Sequence, residues 1–258
     1  MTTLDNKKTE PFLKVAGYCP VCESKAEFLA ESEWLRDTLL CVGCGSVPRE
    51  RALLATLKMY YPHWRDLTIH ECSPAERKVS YKLRDEAKSY IGTHFDRSTP
   101  FGEMNAEGKY RSEDLENQTF ATESFDLVIT QDVFEHLFRP DKAIAEIART
   151  LRPGGAHICS FPIGNKSLPS KRRATLQADG DVIHHMEPIY HGNPIDPSGS
   201  LVTMDYGYDI AEYFDRWSGL NTTIVYMEDM TRGISGEYIE ILVSRKTSDA
   251  TFRYGLIK

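Results

Sequence analysis

Hydrophobic positions in this chain switch between a helical and a strand spacing, and the order of the switches marks an α/β protein. Pro48 opens a helical run in which Leu53, Leu54, Leu57 and Tyr61 share one face, and Pro62 ends it. Residues 67–72 form a short strand-like run closed by Ser73-Pro74, followed by a polar helical stretch over residues 75–87 and a second strand over residues 90–95. Residues 97–120 read mostly as loop, punctuated by Gly102 and Gly108. The centre is clearest. Residues 125–129, Phe-Asp-Leu-Val-Ile, form a buried strand, after which Ile144, Ile147, Ala148 and Leu151 recur at the spacing of an amphipathic helix. Pro153-Gly154-Gly155 should stop that helix, with residues 156–161 as the next strand. Strand, helix, stop and strand make a βαβ unit, which requires a parallel sheet. Residues 162–206 are irregular and rich in Gly, Pro, Lys, Arg and His, and they read as an insertion over one edge of that sheet. A last helix (residues 209–217) and two strands (222–226 and 238–243) close the domain, and no internal repeat is present.

At 258 residues there is room for one large α/β domain and a small module. Hydrophobic residues make up 41% and charged residues 27%, enough for an ordinary core. The formal net charge of -7 disfavours non-specific attraction to a phosphate backbone, so no nucleic acid partner is expected. Residues 1–10 are polar, without the apolar core of a signal peptide, and no run approaches the ~20 apolar residues of a membrane span. Cys72 and Cys159 lie in strand-like sequence and read as small buried hydrophobes. Together these features lead us to expect a soluble protein of the reducing cytoplasm.

The other four cysteines change the picture. Cys19-Pro-Val-Cys22 and Cys41-Val-Gly-Cys44 are two pairs at a separation suited to an all-cysteine Zn²⁺ site. Two disulfides or four buried thiols are the alternatives. Gly45 suits a turn whose backbone must approach the sulfurs closely. The expected organisation is a zinc-binding module over residues 1–47, too small to fold without a staple, and a main domain over residues 48–258.

In an open parallel sheet, ligands bind at the carboxyl ends of the strands, near the point where strand order reverses. Here those ends carry Glu71 and Ser73, then His94 and Asp96, then Gln131 and Asp132, while Glu113-Asp114-Leu115 precedes the central strand. Such carboxylates favour a ligand with hydroxyls, an amine or a positive centre. There is no Walker-type loop and no G-x-G-x-x-G, so phosphate cradling has no support.

The stretch Glu123-Ser-Phe-Asp-Leu-Val-Ile-Thr-Gln-Asp-Val-Phe-Glu-His-Leu137, followed by Ala145-Glu-Ile-Ala-Arg-Thr-Leu-Arg-Pro-Gly-Gly155, resembles class I S-adenosylmethionine-dependent methyltransferases of the small-molecule type. The resemblance covers about residues 66–164. It implies a Rossmann-like sheet of seven strands with the last one antiparallel, and S-adenosylmethionine as cofactor. Metal-headed methyltransferases of bacterial sugar and glycan pathways are similar in overall plan. This sequence departs from the family at the first strand, where an acidic residue and Gly-x-Gly are replaced by His70-Glu71-Cys72-Ser73-Pro74-Ala75. The resemblance implies cofactor contacts at Glu71 and Ser73, at Asp96 (or His94) for the ribose hydroxyls, at Glu113, Asp114 and Leu115 for adenine, and at Gln131 and Asp132 beside the sulfonium.

Methyl transfer to a hydroxyl needs an in-line nucleophile and a base. His136, beside Glu135, is the candidate base, with a structural histidine as the alternative. The insertion holds His184, His185, Glu187 and His191, which could supply a base, a metal site or sugar contacts, although their spacing matches no zinc pattern. It reads as a lid over the acceptor site, with His191 as a further catalytic candidate. Lys166, Lys171, Arg172 and Arg173 form a basic cluster that suits a nucleotide- or lipid-linked sugar pyrophosphate, or simply a solvated face. Three functions are consistent with the sequence. They are methylation of a small molecule such as a sugar hydroxyl, methylation of RNA by a zinc-headed enzyme, and binding without catalysis.

Overall fold

The computed structural model describes residues 10–75 and 77–247. The chain begins with an antiparallel hairpin, β1 (Leu13–Cys19) and β2 (Ser24–Ala30), whose turn carries Cys22. A one-turn helix α1 (Leu35–Thr38) leads to β3 (Leu40–Cys41), which pairs with β2 through Phe28↔Cys41. That pairing brings the second cysteine pair back beside the first. Helix α2 (Pro48–Tyr60) has Pro48 in its first turn, and the Glu50 carboxylate accepts the Val47 N–H at 2.8 Å, satisfying a donor the helix leaves open.

The main sheet is assembled from β4 (Thr68–Cys72), β5 (Ser89–His94), β6 (Arg111–Ser112), β7 (Phe125–Gln131) and β8 (Leu151–Ser160). Helices α3 (Lys78–Glu86) and α4 (Pro140–Thr150) are the crossovers. Six very short strands follow: β9 (Lys171–Arg172), β10 (Ala174–Leu176), β11 (Val182–His184), β12 (Tyr190–His191), β13 (Ser200–Leu201) and β14 (Met204–Asp205). They pair off as β9 with β14, β10 with β11 and β12 with β13. Helix α5 (Ile210–Ser218), β15 (Asn221–Val225) and β16 (Ile241–Arg245) complete the described chain.

The seven-stranded sheet runs β6-β5-β4-β7-β8-β16-β15. All neighbours from β6 to β8 are parallel, and β16 is antiparallel to both β8 and β15. The last strand in the chain is thus the reversed one, as expected. From β4 the chain winds outward to β5 and β6, then returns to β7 on the other side of β4. In open parallel sheets such a reversal is where ligands bind, outside the carboxyl ends that here carry Cys72 and Gln131.

Both faces of the sheet are covered. Leu127 and Ile129 of β7 pack with Leu53, Leu54, Leu57 and Ile69, while Val128 faces Ile144, Ile147, Phe134 and Phe214. A strand buried on both sides needs a near-continuous apolar run, which is what residues 125–129 supply. The first core also contains Phe28, Ala30 and Leu39, so the cysteine-bearing hairpin shares its packing with the sheet. Arg51 locks that junction. It is fully buried, donates to the carbonyls of Leu39 (2.7 Å) and Gly233 (2.6 and 2.9 Å), and lies 4.7 Å over the Phe28 ring.

Two expectations need correction. Pro153-Gly154-Gly155 does not separate helix from strand, because α4 ends at Thr150 and β8 already starts at Leu151. The triplet lies inside the strand where the register against β7 jumps from Phe125↔Leu151 to Leu127↔Ala156. A Cβ on Gly155 would sit 2.5 Å from the Asp126 carbonyl oxygen, so only glycine lets the strands approach there. The insertion does not flank an edge of the sheet. It crosses the turn after β7, where Thr203 N–H donates to the Glu135 carbonyl at 2.7 Å and Tyr206 Oη–H to the Phe134 carbonyl at 3.0 Å.

Candidate active site and cysteine cluster

The four cysteine sulfurs converge. Cys19 and Cys44 Sγ lie 3.8 Å apart, Cys22 and Cys41 Sγ 3.9 Å, and all four fall within 4.8 Å of one another. A disulfide needs about 2.05 Å, so these are not disulfides. Four sulfurs at ~2.3 Å from a tetrahedral Zn²⁺ are ~3.8 Å apart by geometry alone. Gly45 has φ +74°, a left-handed turn that returns its N–H to the Cys41 carbonyl at 2.7 Å. The contact between Cys19 and Cys44 lowers the Cys19 thiol and raises that of Cys44, as expected when two sulfurs share one proton at close range.

At the carboxyl ends of the main strands, the candidate cofactor residues divide into three groups. Glu71 is fully engaged inside the protein, accepting from Ser80 Oγ (2.6 Å), Tyr90 Oη (2.8 Å) and Gln131 Nε2 (3.3 Å). Glu113 is equally committed, accepting from Arg111 Nε at 2.8 Å and from Thr119 N–H at 2.9 Å and Thr119 Oγ. The Leu115 side chain packs in the core. These three build the walls.

Ser73, Asp96 and Asp114 sit in the loops that follow β4, β5 and β6. Ser73 holds φ +53°, a strained conformation for a residue with a Cβ, and its N–H donates to the Thr93 carbonyl at 2.7 Å. Asp96 organises its own turn, accepting from Ser98 N–H (2.9 Å), Thr99 Oγ (2.9 Å) and Tyr110 Oη (3.0 Å). Asp114 lines a cleft of about 280 Å³ with Phe95, Arg97, Thr99, Pro100 and Phe101. A carboxylate among aromatic rings is suited to a flat base bearing an amine. A larger but open concavity, about 740 Å³, lies on the outer face of the β1–β2 hairpin beside Thr231 and is remote from the strand ends.

Gln131 and Asp132 occupy the end of β7. Asp132 has φ +53° and is gripped by three arginines that the sequence reading missed: Arg77 Nη2 at 2.7 Å, Arg36 Nη2 at 2.9 Å and Arg49 Nε at 3.4 Å. Arg36 comes from α1 and Arg49 from α2, so residues around the cysteine cluster reach the end of β7. Burial alone would push the Asp132 carboxyl up, but Arg77, Arg36 and Arg49 outweigh it and hold it down to about 2. A folded value below the unfolded one adds stability that is complete above about pH 4 and lost as pH falls through 2. Asp132→Asn should therefore cost ~2–3 kcal/mol at pH 7, with the gap to wild type closing near pH 2. Chemical denaturation across that range checks this, and a gap independent of pH would contradict it.

Beyond Asp132 the turn Phe134–His136 presents a third cluster. Glu135 is 2% exposed, and neither carboxylate oxygen has a hydrogen-bond partner among the described residues. Burial, then the Asp132 charge, push its carboxyl up to about 8. His136 Nδ1 lies 2.9 Å from the Leu201 carbonyl, which fixes that nitrogen as the donor and turns the Nε2 lone pair toward Glu135 at 3.8 Å. His191 Nδ1 also stands 3.8 Å from the same Glu135 oxygen, and the two imidazoles meet edge-on at 5.2 Å. Burial holds both histidines below their usual value, so both are neutral near pH 7. The β12–β13 ladder explains the arrangement: it pairs His191 with Ser200, next to the Leu201 carbonyl that orients His136.

The remaining insertion residues stand apart. His184 and His185 are exposed on and beside the β10–β11 ladder, with His185 Nε2 2.8 Å from Thr175 Oγ. The basic cluster of the sequence is split up. Arg173 is bound to Asp205 and the Glu187 carbonyl, Arg172 to the Phe138 carbonyl, and Lys166 approaches Glu240.

Comparisons with known proteins bear on the fold that carries these residues. Residues 71–159 match the family model of a methyltransferase domain. Among solved structures, 1,6-didemethyltoxoflavin-N1-methyltransferase of Burkholderia thailandensis, with 1,6-didemethyltoxoflavin and S-adenosylhomocysteine bound, is 13% identical. The match covers 77% of this chain and 78% of that one, with a TM-score of 0.50. An S-adenosylmethionine-dependent methyltransferase from Mesorhizobium loti is 16% identical over 76% of this chain and 97% of that one, with a TM-score of 0.48. No curated protein matches the chain. The reversed seventh strand, the change of strand order at β4 and the family match agree: residues 71–159 are a methyltransferase domain, set on the seven-stranded sheet of the class I S-adenosylmethionine-dependent methyltransferases.

Proposed function

We propose that the protein transfers a methyl group from S-adenosylmethionine to a hydroxyl of a small molecule, a sugar or related metabolite. The observation that supports this reading is the reversal of strand order at β4 and β7 within the matched methyltransferase domain, the place where open parallel sheets bind their ligands. The cleft around Asp114 suits the adenine, with Asp96 toward the ribose. Glu135, His136 and His191 surround a space where an acceptor's hydroxyl can lose its proton. Gln131 and Asp132, at the end of β7, are the candidates beside the sulfonium. Arg77, which keeps a buried Nη1 without a partner, is the candidate for the methionine carboxylate.

Transfer itself asks little beyond alignment. The acceptor oxygen attacks the methyl carbon, the C–S bond breaks in line, and S-adenosylhomocysteine leaves as a neutral thioether. His136 Nε2 is the ring nitrogen oriented to receive the hydroxyl proton. The lid made by residues 162–206 would close the acceptor side and exclude water. We further propose that residues 1–47 are a structural zinc module held by Cys19, Cys22, Cys41 and Cys44, on a methyltransferase domain over residues 48–258. No helix among the described residues is long and apolar enough to cross a membrane, and the absence of disulfides among the six cysteines fits a reducing compartment.

Incubating the protein with labelled S-adenosylmethionine and separate panels of hydroxylated sugars, nucleotide-sugars and ribosomal RNA tests the substrate class. Label in a sugar panel is the expected result. Label in RNA alone would overturn the small-molecule reading.

A further inference from the structure

We infer that Glu135, His136 and His191 bind a divalent transition-metal ion, a second metal site distinct from the cysteine cluster. Three facts converge on it. The three ligand atoms lie within 4.8 Å of one another, and the two nitrogen-to-oxygen distances of 3.8 Å are too long for hydrogen bonds. The side chains therefore face a common centre instead of each other. Next, the buried Glu135 carboxylate has both oxygens without a partner, and its only ionic neighbours within 4 Å among the described residues are those two histidines. The arginines nearby are directed at Asp132. A buried carboxylate without a partner is costly, and a cation at the centre would remove that cost.

The third fact is orientation from behind. His136 gives its Nδ1–H to the Leu201 carbonyl, the arrangement that fixes the tautomer of a metal-ligating imidazole and leaves Nε2 free to bind. Two imidazoles and one carboxylate suit Zn²⁺, Fe²⁺, Mn²⁺ or Co²⁺ better than Ca²⁺ or Mg²⁺, and three ligands leave positions open for water or substrate. The insertion histidines alone show no ligand spacing because the set is assembled from the turn after β7 and from β12.

This inference rests on the proposed methyltransferase reading only for what the ion would do. An acceptor hydroxyl coordinated there would release its proton to solvent, and the resulting oxygen would take the methyl group from the sulfonium. His136 would then hold the ion and would not itself receive the proton.

The test is titration of full-length protein carrying one zinc per chain, the equivalent held by the cysteines, with Mn²⁺, followed by the electron paramagnetic resonance signal of free Mn²⁺. We expect one Mn²⁺ bound per chain, with affinity reduced at least ~100-fold in both His191→Ala and Glu135→Gln, while the zinc content stays unchanged. His191 lies on the short β12 ladder with its side chain 41% exposed, so its replacement leaves the core intact. Absence of saturable Mn²⁺ binding, or binding that both variants retain, would overturn the inference. A protein that methylates its acceptor without binding Mn²⁺ keeps the function and loses the ion. One that binds Mn²⁺ but not S-adenosylmethionine keeps the ion and loses the function.

Discussion

Replacing Cys41 with Ser should release zinc, lower the melting temperature by about 10 °C or more and abolish methyl transfer. The first effect follows from the sulfur geometry, because three thiolates and a hydroxyl no longer match what the ion prefers. The second follows from linkage: metal held only by the folded state contributes its binding free energy to folding, ~10–16 kcal/mol in zinc-finger peptides. Here part of that is offset, since Phe28 and Leu39 are packed against the sheet and keep some of the module folded. Even ~4 kcal/mol would shift the melting point by about 8–16 °C in a chain of this size.

The loss of activity is the informative part. Arg36 and Arg49 reach Asp132 from the segments flanking the second cysteine pair, and Arg51 ties the same segment to the Gly233 carbonyl. A loosened module withdraws two of the three cations around Asp132, and the end of β7 loses its shape. Metal analysis, calorimetric melting and turnover on one preparation check all three effects. A metal-free wild-type protein with unchanged melting and turnover would refute the role given to the cysteines.

The second large effect is kinetic. His136→Gln should lower kcat by ~10²–10⁴-fold while S-adenosylmethionine binds as before, because the side chain sits beyond Asp132, on the proposed acceptor side. Gln keeps a donor for the Leu201 carbonyl, so the turn should keep its form. His191→Ala should follow the same pattern with a smaller loss, since His191 is the more exposed of the two. Steady-state kinetics with cofactor binding measured in parallel separate the cases. Unchanged turnover in His136→Gln would remove the histidine from the chemistry and leave it a structural residue of the turn.

Much of this fold was legible in the sequence because its central strands are buried on both faces. Residues 125–129 and the Ile144, Ile147, Ala148 series have no alternative arrangement that hides so much apolar surface. The strand β6 has only two residues, too few for a periodic signal, and it was read as loop. Pro153-Gly154-Gly155 was misread because a helix stop and a bulge use the same residue types, and only the approach to Asp126 separates them. At the candidate site, strand-end position singled out Gln131 and Asp132, and the family resemblance Asp114, but neither said what each side chain was already bonded to. Glu71 and Glu113 look like free carboxylates in sequence and are internal acceptors in the fold. Arg36, Arg49 and Arg77 gave no signal, since isolated arginines between apolar residues are common on solvated surfaces. The pairing of His191 with Glu135 and His136 depends on a two-residue ladder, which sequence spacing cannot reveal.

The most direct test of the account is equilibrium binding of S-adenosylmethionine to the wild-type protein, measured by titration calorimetry alongside Asp114→Ala. The account predicts one cofactor per chain at micromolar affinity, about -8 kcal/mol, weakened about tenfold or more in the variant. A titration without saturable heat at several hundred micromolar cofactor, in protein shown to be folded, would contradict it.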